Sequence, residues 1–208
     1  MSSHELALAA GGAVGSLAGL GANYSLRAAR PHGIALLLAS PLLGLALGVG
    51  LALRILPTPL LAACLFLLGV ALPLSAIDAT TLTLPDRLLL PAIPACAALL
   101  AFAAEPANDY GPLWRALIAA SAVFLMFTAL ALAAPGQLGF GDCKAAALCA
   151  LPLGYLGWRH VLLGIAATYV LAALYVIGRR IARGAAAPLT LAFGPFIFAG
   201  TFAILLAS

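Results

Sequence analysis

The sequence predicts an all-α, polytopic membrane fold with about eight transmembrane helices. Three observations carry this. Of 208 residues, 65% are hydrophobic and only 8% charged, whereas a soluble domain of this size carries roughly a quarter charged residues. The apolar stretches each approach the ~20 residues that one helical crossing of a bilayer needs. Charged residues, Pro and Gly interrupt them at regular intervals. Such a chain has too few charges to coat a globule, so lipid must be its outer solvent, and residues 1–208 are expected to form a single membrane domain.

The stretches run approximately 5–26, 33–53, 57–77, 87–104, 112–133, 142–158, 160–178 and 187–207. In the first, Gly11, Gly15 and Gly19 form a small-xxx-small face of the kind that lets membrane helices approach closely. The opening MSSHELALAA lacks a positively charged n-region, and the apolar run there is long enough to span, so a cleaved signal peptide is not expected. The remaining stretches are rich in Ala and Leu without an internal repeat, and the glycines inside them are normal for membrane helices.

Short connections force alternate loops onto opposite sides. One side receives seven basic residues: Arg27, Arg30, Arg87, Lys144, Arg179, Arg180 and Arg183. The other receives three, Arg54, Arg115 and Arg159. The positive-inside rule assigns the first set to the cytoplasm and both termini to the opposite side. The net charge of +4 is spread over segment ends rather than gathered on one face, which argues against nucleic-acid binding. Cys64, Cys96, Cys143 and Cys149 contain no C-x-x-C pair and read as small apolar fillers. His4, His32 and His160 sit at membrane edges without metal-ligand spacing. No metal or cofactor is predicted.

The six acidic residues divide into two groups. Glu5, Glu105 and Asp109 fall on the outer side and need no special role. Asp78, Asp86 and Asp142 fall on the cytoplasmic side. Asp78 closes the third stretch in PLSAIDATTLTLPDRLLLP, at or just under the membrane surface, where a carboxylate is costly and usually faces the interior. A helix-end carboxylate reaching headgroups is the bland alternative. Asp142 follows Gly139 and Gly141 in PGQLGFGDCKAAALCA, where glycine keeps the backbone clear of side-chain bulk. An N-cap at the start of the sixth helix is its alternative role. Asp86, directly after Pro85, is expected to cap the fourth helix. Lys144 is expected to snorkel to headgroups.

Two helical crossings separate Asp78 from Asp142, which returns them to the same face. If the third and sixth helices touch, the two carboxyls can meet and share a proton. One then serves as general base toward a water while the other donates to a peptide carbonyl. A proton-coupled transporter also uses paired membrane carboxylates, but places them near the midplane, often in related halves. A non-catalytic assembly subunit would use the acids for topology alone.

At these positions the chain resembles the type IV prepilin peptidases. The matching residues are Asp78 with Leu84-Pro85-Asp86, then Gly139-Phe140-Gly141-Asp142-Cys143-Lys144, which fits the family's G-x-G-D-x-K pattern. Phe193-Gly194-Pro195-Phe196 resembles its F-G-P-F-type segment, and Gly15-Ser16 with Asn23 and Arg27 loosely resembles a segment near its start. The resemblance implies that Asp78 and Asp142 are the catalytic pair, with Gly139, Gly141, Lys144, Pro85 and Asp86 in support. It implies an aspartic endopeptidase of the bacterial inner membrane with its site facing the cytoplasm. The implied substrate is a prepilin or pseudopilin of type IV pili or type II secretion, cut after a glycine at the membrane boundary. Many members carry a cytoplasmic insert with paired C-x-x-C motifs linked to zinc and to N-methylation. The loop from Arg27 to Gly33 has no cysteine, which removes the basis for expecting methyltransferase activity or S-adenosylmethionine dependence. Presenilin-like peptidases share G-x-G-D but usually have Tyr before the first Asp; here Ile77 stands there.

Overall fold

In lipid, a lone crossing satisfies its backbone only by closing hydrogen bonds within itself, so apolar spans become helices. A computed structural model describes residues 3–29, 34–55, 59–136, 138–183 and 191–208. Among the described residues there are eight α-helices: α1 (Ser3–Ala29), α2 (Ile34–Ile55), α3 (Leu60–Thr81), α4 (Asp86–Ala104), α5 (Gly111–Ala133), α6 (Phe140–Leu156), α7 (Trp158–Arg183) and α8 (Gly194–Ala207). Five spans, in α1, α3, α4, α5 and α7, are long and apolar enough to cross a membrane, and two further apolar helices, Pro41–Ile55 and Gly194–Ala207, are shorter. The chain is a multi-pass helical membrane protein. Arg30 and His32 lie outside the described residues, as do the side chains of His4, Asn23, Arg27 and Arg183, so the expectations placed on them have no structural counterpart here.

Small residues decide who packs against whom. On α1, Gly11 and Gly15 meet Gly48 and Gly44 of α2, and a Cβ at any of the four would overlap the facing backbone. This is the close approach that the small-xxx-small face predicts. On α6, Gly154 rests on Ala116 and Ala119 of α5, where a Cβ would come within 2.7 Å of Ala119 Cβ. Gly200 of α8 sits equally tightly on Gly164 and Thr168 of α7. These contacts build three close pairs, α1 with α2, α5 with α6, and α7 with α8.

The α1–α2 pair joins the bundle through α3 and α8, and the other two pairs meet at α6. That helix touches α3, α4, α5, α7 and α8, and all of its residues from Ala145 to Gly154 are buried. Arg115 of α5 closes its far end: Nε donates to Gly154 O at 2.8 Å and the guanidinium also donates to Tyr155 O. Cation donors suit the unsatisfied carbonyls at a helix C-terminus. Helix α3 touches both α6 and α8, so the contact on which the paired-carboxylate reading depends is present.

Candidate active site

Helix α3 does not stop at Asp78, where its apolar run ends. Thr80 and Thr81 continue it, with both hydroxyls donating back to Ile77 O at 2.9 Å. Leu82 then takes a left-handed conformation, φ 55°, with its N–H donating to Asp78 O at 2.8 Å. That conformation is uncommon for a side chain as bulky as Leu. It turns the chain back so that Leu84 returns to the bundle and α4 starts after Pro85.

Asp78 is consequently one turn inside the helix and only 4% exposed. Its partner comes from the far end of the chain. The backbone N–H of Gly194, in the first turn of α8, donates to Asp78 Oδ2 at 2.9 Å. The N-terminus of a helix presents unpaired N–H groups and a partial positive charge, so a carboxylate belongs there. Glycine leaves the bond undisturbed: a Cβ on Gly194 would lie 2.8 Å from Asp78 Oδ2, so the carboxylate or the helix start would have to shift.

Asp142 is placed by its own helix. Gly139, in extended backbone (φ −80°, ψ 148°), is the N-cap of α6, and Asp142 reaches back from the third helical position to accept its N–H at 3.1 Å through Oδ2. This is the half of a capping box that a glycine N-cap allows. The N-cap role considered for Asp142 is therefore inverted: Gly139 occupies the cap and Asp142 supports it. Gly141, between them, faces the α3–α4 turn, where an added Cβ would sit 2.9 Å from Leu84 Cβ.

Leu84 thus lies against Gly141 on one side and Gly194 on the other, next to Asp78. The Asp78 and Asp142 carboxylates therefore stand at the same end of the bundle, with Gly141 beside Asp142 and Gly194 beside Asp78 both lying against Leu84. Each binds one backbone N–H through Oδ2, and neither Oδ1 has a hydrogen bond among the described residues.

Asp86 does not cap α4. Pro85 holds the cap position with no side-chain cap bond, and Asp86 is the first helical residue. From there its Oδ1 reaches across to Lys144 Nζ at 2.6 Å, an ion pair between the starts of α4 and α6. Lys144 therefore has a protein partner rather than only the headgroups expected for it. Two residues of helical separation place Lys144 and Asp142 on different sides of α6.

Two tyrosines that sequence reasoning passed over hold the α8 start. Phe193 packs on Tyr169 of α7 with ring centroids 5.6 Å apart, and Phe196 packs on Tyr175 at 5.3 Å. Nothing in their spacing marks them. The one available signal is two phenol rings in the apolar middle and end of a helix whose other aromatic residue, Trp158, stands at its start.

Taken as a class, this is a helical membrane protein with two carboxylates gathered at one end of its bundle, where α3 ends and α6 and α8 begin. A family model described as the type IV leader peptidase family matches residues 65–177, just over half of the chain. The chain belongs to the type IV leader peptidase family. The match contains Asp78, Leu84 to Asp86 and Gly139 to Lys144, and ends before Gly194. Comparison with curated proteins and with solved structures gives no match.

Proposed function

We propose that this peptidase is of the aspartic type, with Asp78 and Asp142 as its paired carboxyls. Its substrate is a type IV prepilin or pseudopilin, whose basic leader it removes by cutting after a glycine at the cytoplasmic boundary of the bacterial inner membrane. The observation that carries this reading is that helices α3 and α6 touch and that Gly141, next to Asp142, and Gly194, the donor to Asp78, both lie against Leu84, which puts the two aspartates at the same end of the bundle.

In the proposed pair the two carboxyls hold one proton between them, one ionised and one not. The ionised member takes a proton from water as its oxygen attacks the scissile carbonyl carbon. The protonated member gives its proton to the carbonyl oxygen, forming a gem-diol. Collapse breaks the C–N bond: the proton taken from water passes to the leaving amine, and one gem-diol hydroxyl returns its proton to the carboxylate that had protonated the carbonyl, which restores the pair. The N–H groups of Gly139 and Gly194 each occupy one oxygen, which fixes how the carboxyls present the other. Roles belong to the pair rather than to either member.

Charge supports the orientation. Arg87, Lys144, Arg179 and Arg180 belong to helix ends on the side of the aspartates, whereas Arg54, Arg115 and Arg159 belong to the opposite ends. The positive-inside rule then sets the site toward the cytoplasm, where a basic leader remains. Transporters bind near the midplane, whereas these acids lie at one end of the bundle. Co-expression with a candidate prepilin tests the reading by gel shift. Leader removal by the wild type is expected, and an unprocessed prepilin in cells that contain the protein would reject that substrate assignment.

A further inference from the structure

Asp78 owes its hydrogen bond to a segment 116 residues away. The start of α8 must therefore be held by contacts across the bundle. Those contacts come from α7. Tyr169 carries Phe193, the N-cap of α8, and Tyr175 carries Phe196 in its first turn. The donor Gly194 lies between the two phenylalanines, and each ring is pinned by a different tyrosine. The tyrosines are themselves anchored. Tyr169 packs on Phe127 of α5 at 6.3 Å. The Tyr175 hydroxyl accepts from Arg179 Nη1 at 3.2 Å, and the Arg179 guanidinium sits 5.7 Å from the Tyr175 ring centre.

We infer that Tyr169 and Tyr175 form an aromatic clamp that positions Gly194 and, through its N–H, the Asp78 carboxyl. The inference rests on the proposed role of Asp78. Both tyrosines are positioning residues acting through Phe193 and Phe196. Their rings carry the effect, because edge and tilted aromatic contacts fix the angle of the segment they touch. A ring lost from either end lets the α8 start shift. A carboxyl displaced by a fraction of an ångström then costs rate rather than substrate binding.

The test uses the full chain, purified in detergent, with a synthetic prepilin segment, and compares Tyr→Ala, Tyr→Leu and Tyr→Phe at both positions. Alanine and leucine variants are expected to lower kcat on the order of tenfold with KM within about twofold, while Tyr169→Phe and Tyr175→Phe keep most of the activity. Tyr169→Ala combined with Phe193→Ala should be no worse than the poorer single variant, since both remove the same contact. Hydrogen exchange at the Gly194 amide gives a reading independent of activity, and protection should fall in the alanine variants and persist in the phenylalanine ones. Unchanged kcat and protection in the alanine variants would overturn the clamp. So would phenylalanine variants as poor as alanine, or variants that never accumulate, which would make the rings a folding requirement. If the wild type itself cleaves nothing, the substrate reading fails, and the exchange result still decides whether the clamp holds Gly194.

Discussion

Gly194 N and Asp78 Oδ2 are 2.9 Å apart, joining the start of the last helix to a carboxylate buried in the third. The same geometry leaves no undisturbed place for a side chain at Gly194, because a Cβ would stand 2.8 Å from that oxygen. Gly194→Ala must push the carboxylate or the start of α8 aside. Leader cleavage should fall at least about tenfold, since loss of this orientation acts on the transition state. Measured at equal protein level, a Gly194→Ala variant with wild-type rate would show that the bond does not matter to the site.

Gly141 makes a comparable demand on the α3–α4 turn. Gly141→Ala places its Cβ 2.9 Å from Leu84 Cβ, so Leu84 or the first turn of α6 must move, and Asp142 moves with it. Activity should drop markedly. Adding Leu84→Gly, which removes the opposing Cβ, should restore part of it, and the double variant identifies the clash as the cause.

The Asp86–Lys144 pair sits at the surface, with Asp86 56% exposed, so its contribution to stability is small, about 0.2–1 kcal/mol. Its expected value is in register, holding the starts of α4 and α6 together beside Leu84 and Asp142. Asp86→Lys or Lys144→Asp alone should reduce cleavage several-fold with little change in melting temperature. The exchanged pair, Asp86→Lys with Lys144→Asp, should recover activity at low salt. No recovery would assign Lys144 a role outside the pair.

The helix plan was legible because charge and proline punctuation is what lipid forces on a crossing chain. Helix ends were less so. Helix α3 runs past Asp78 to Thr81, beyond the apolar run that hydropathy registers, and α8 starts at Gly194, where Pro195 suits the first turn. Partner choice was barely legible. In lipid, helices associate through small residues and van der Waals fit, which leaves an Ala/Leu sequence with little to read. Asp78 and Asp142 stood out because a membrane carboxylate is rare and both count to one face. Gly194 as the donor to Asp78, Asp86 as the partner of Lys144, and the tyrosines behind α8 are relations between distant segments that composition does not encode.

One contact far from the site separates stability from chemistry. Gly15 and Gly44 touch backbone to backbone, and a side chain on either forces α1 and α2 apart. Gly15→Leu should lower the melting temperature in detergent by several degrees. The fraction that remains folded should cleave with its usual KM, which kinetics normalised to folded protein would check.

The central claim is that Asp78 and Asp142 act together on a peptide bond. The direct measurement is single-turnover cleavage of a synthetic prepilin segment by purified protein in lipid vesicles, with mass spectrometry of both products. Wild type should release one leader ending in glycine. Asp78→Asn and Asp142→Asn, each folded and at equal concentration, should release none. Cleavage surviving either substitution would contradict the dyad and remove that aspartate from the chemistry.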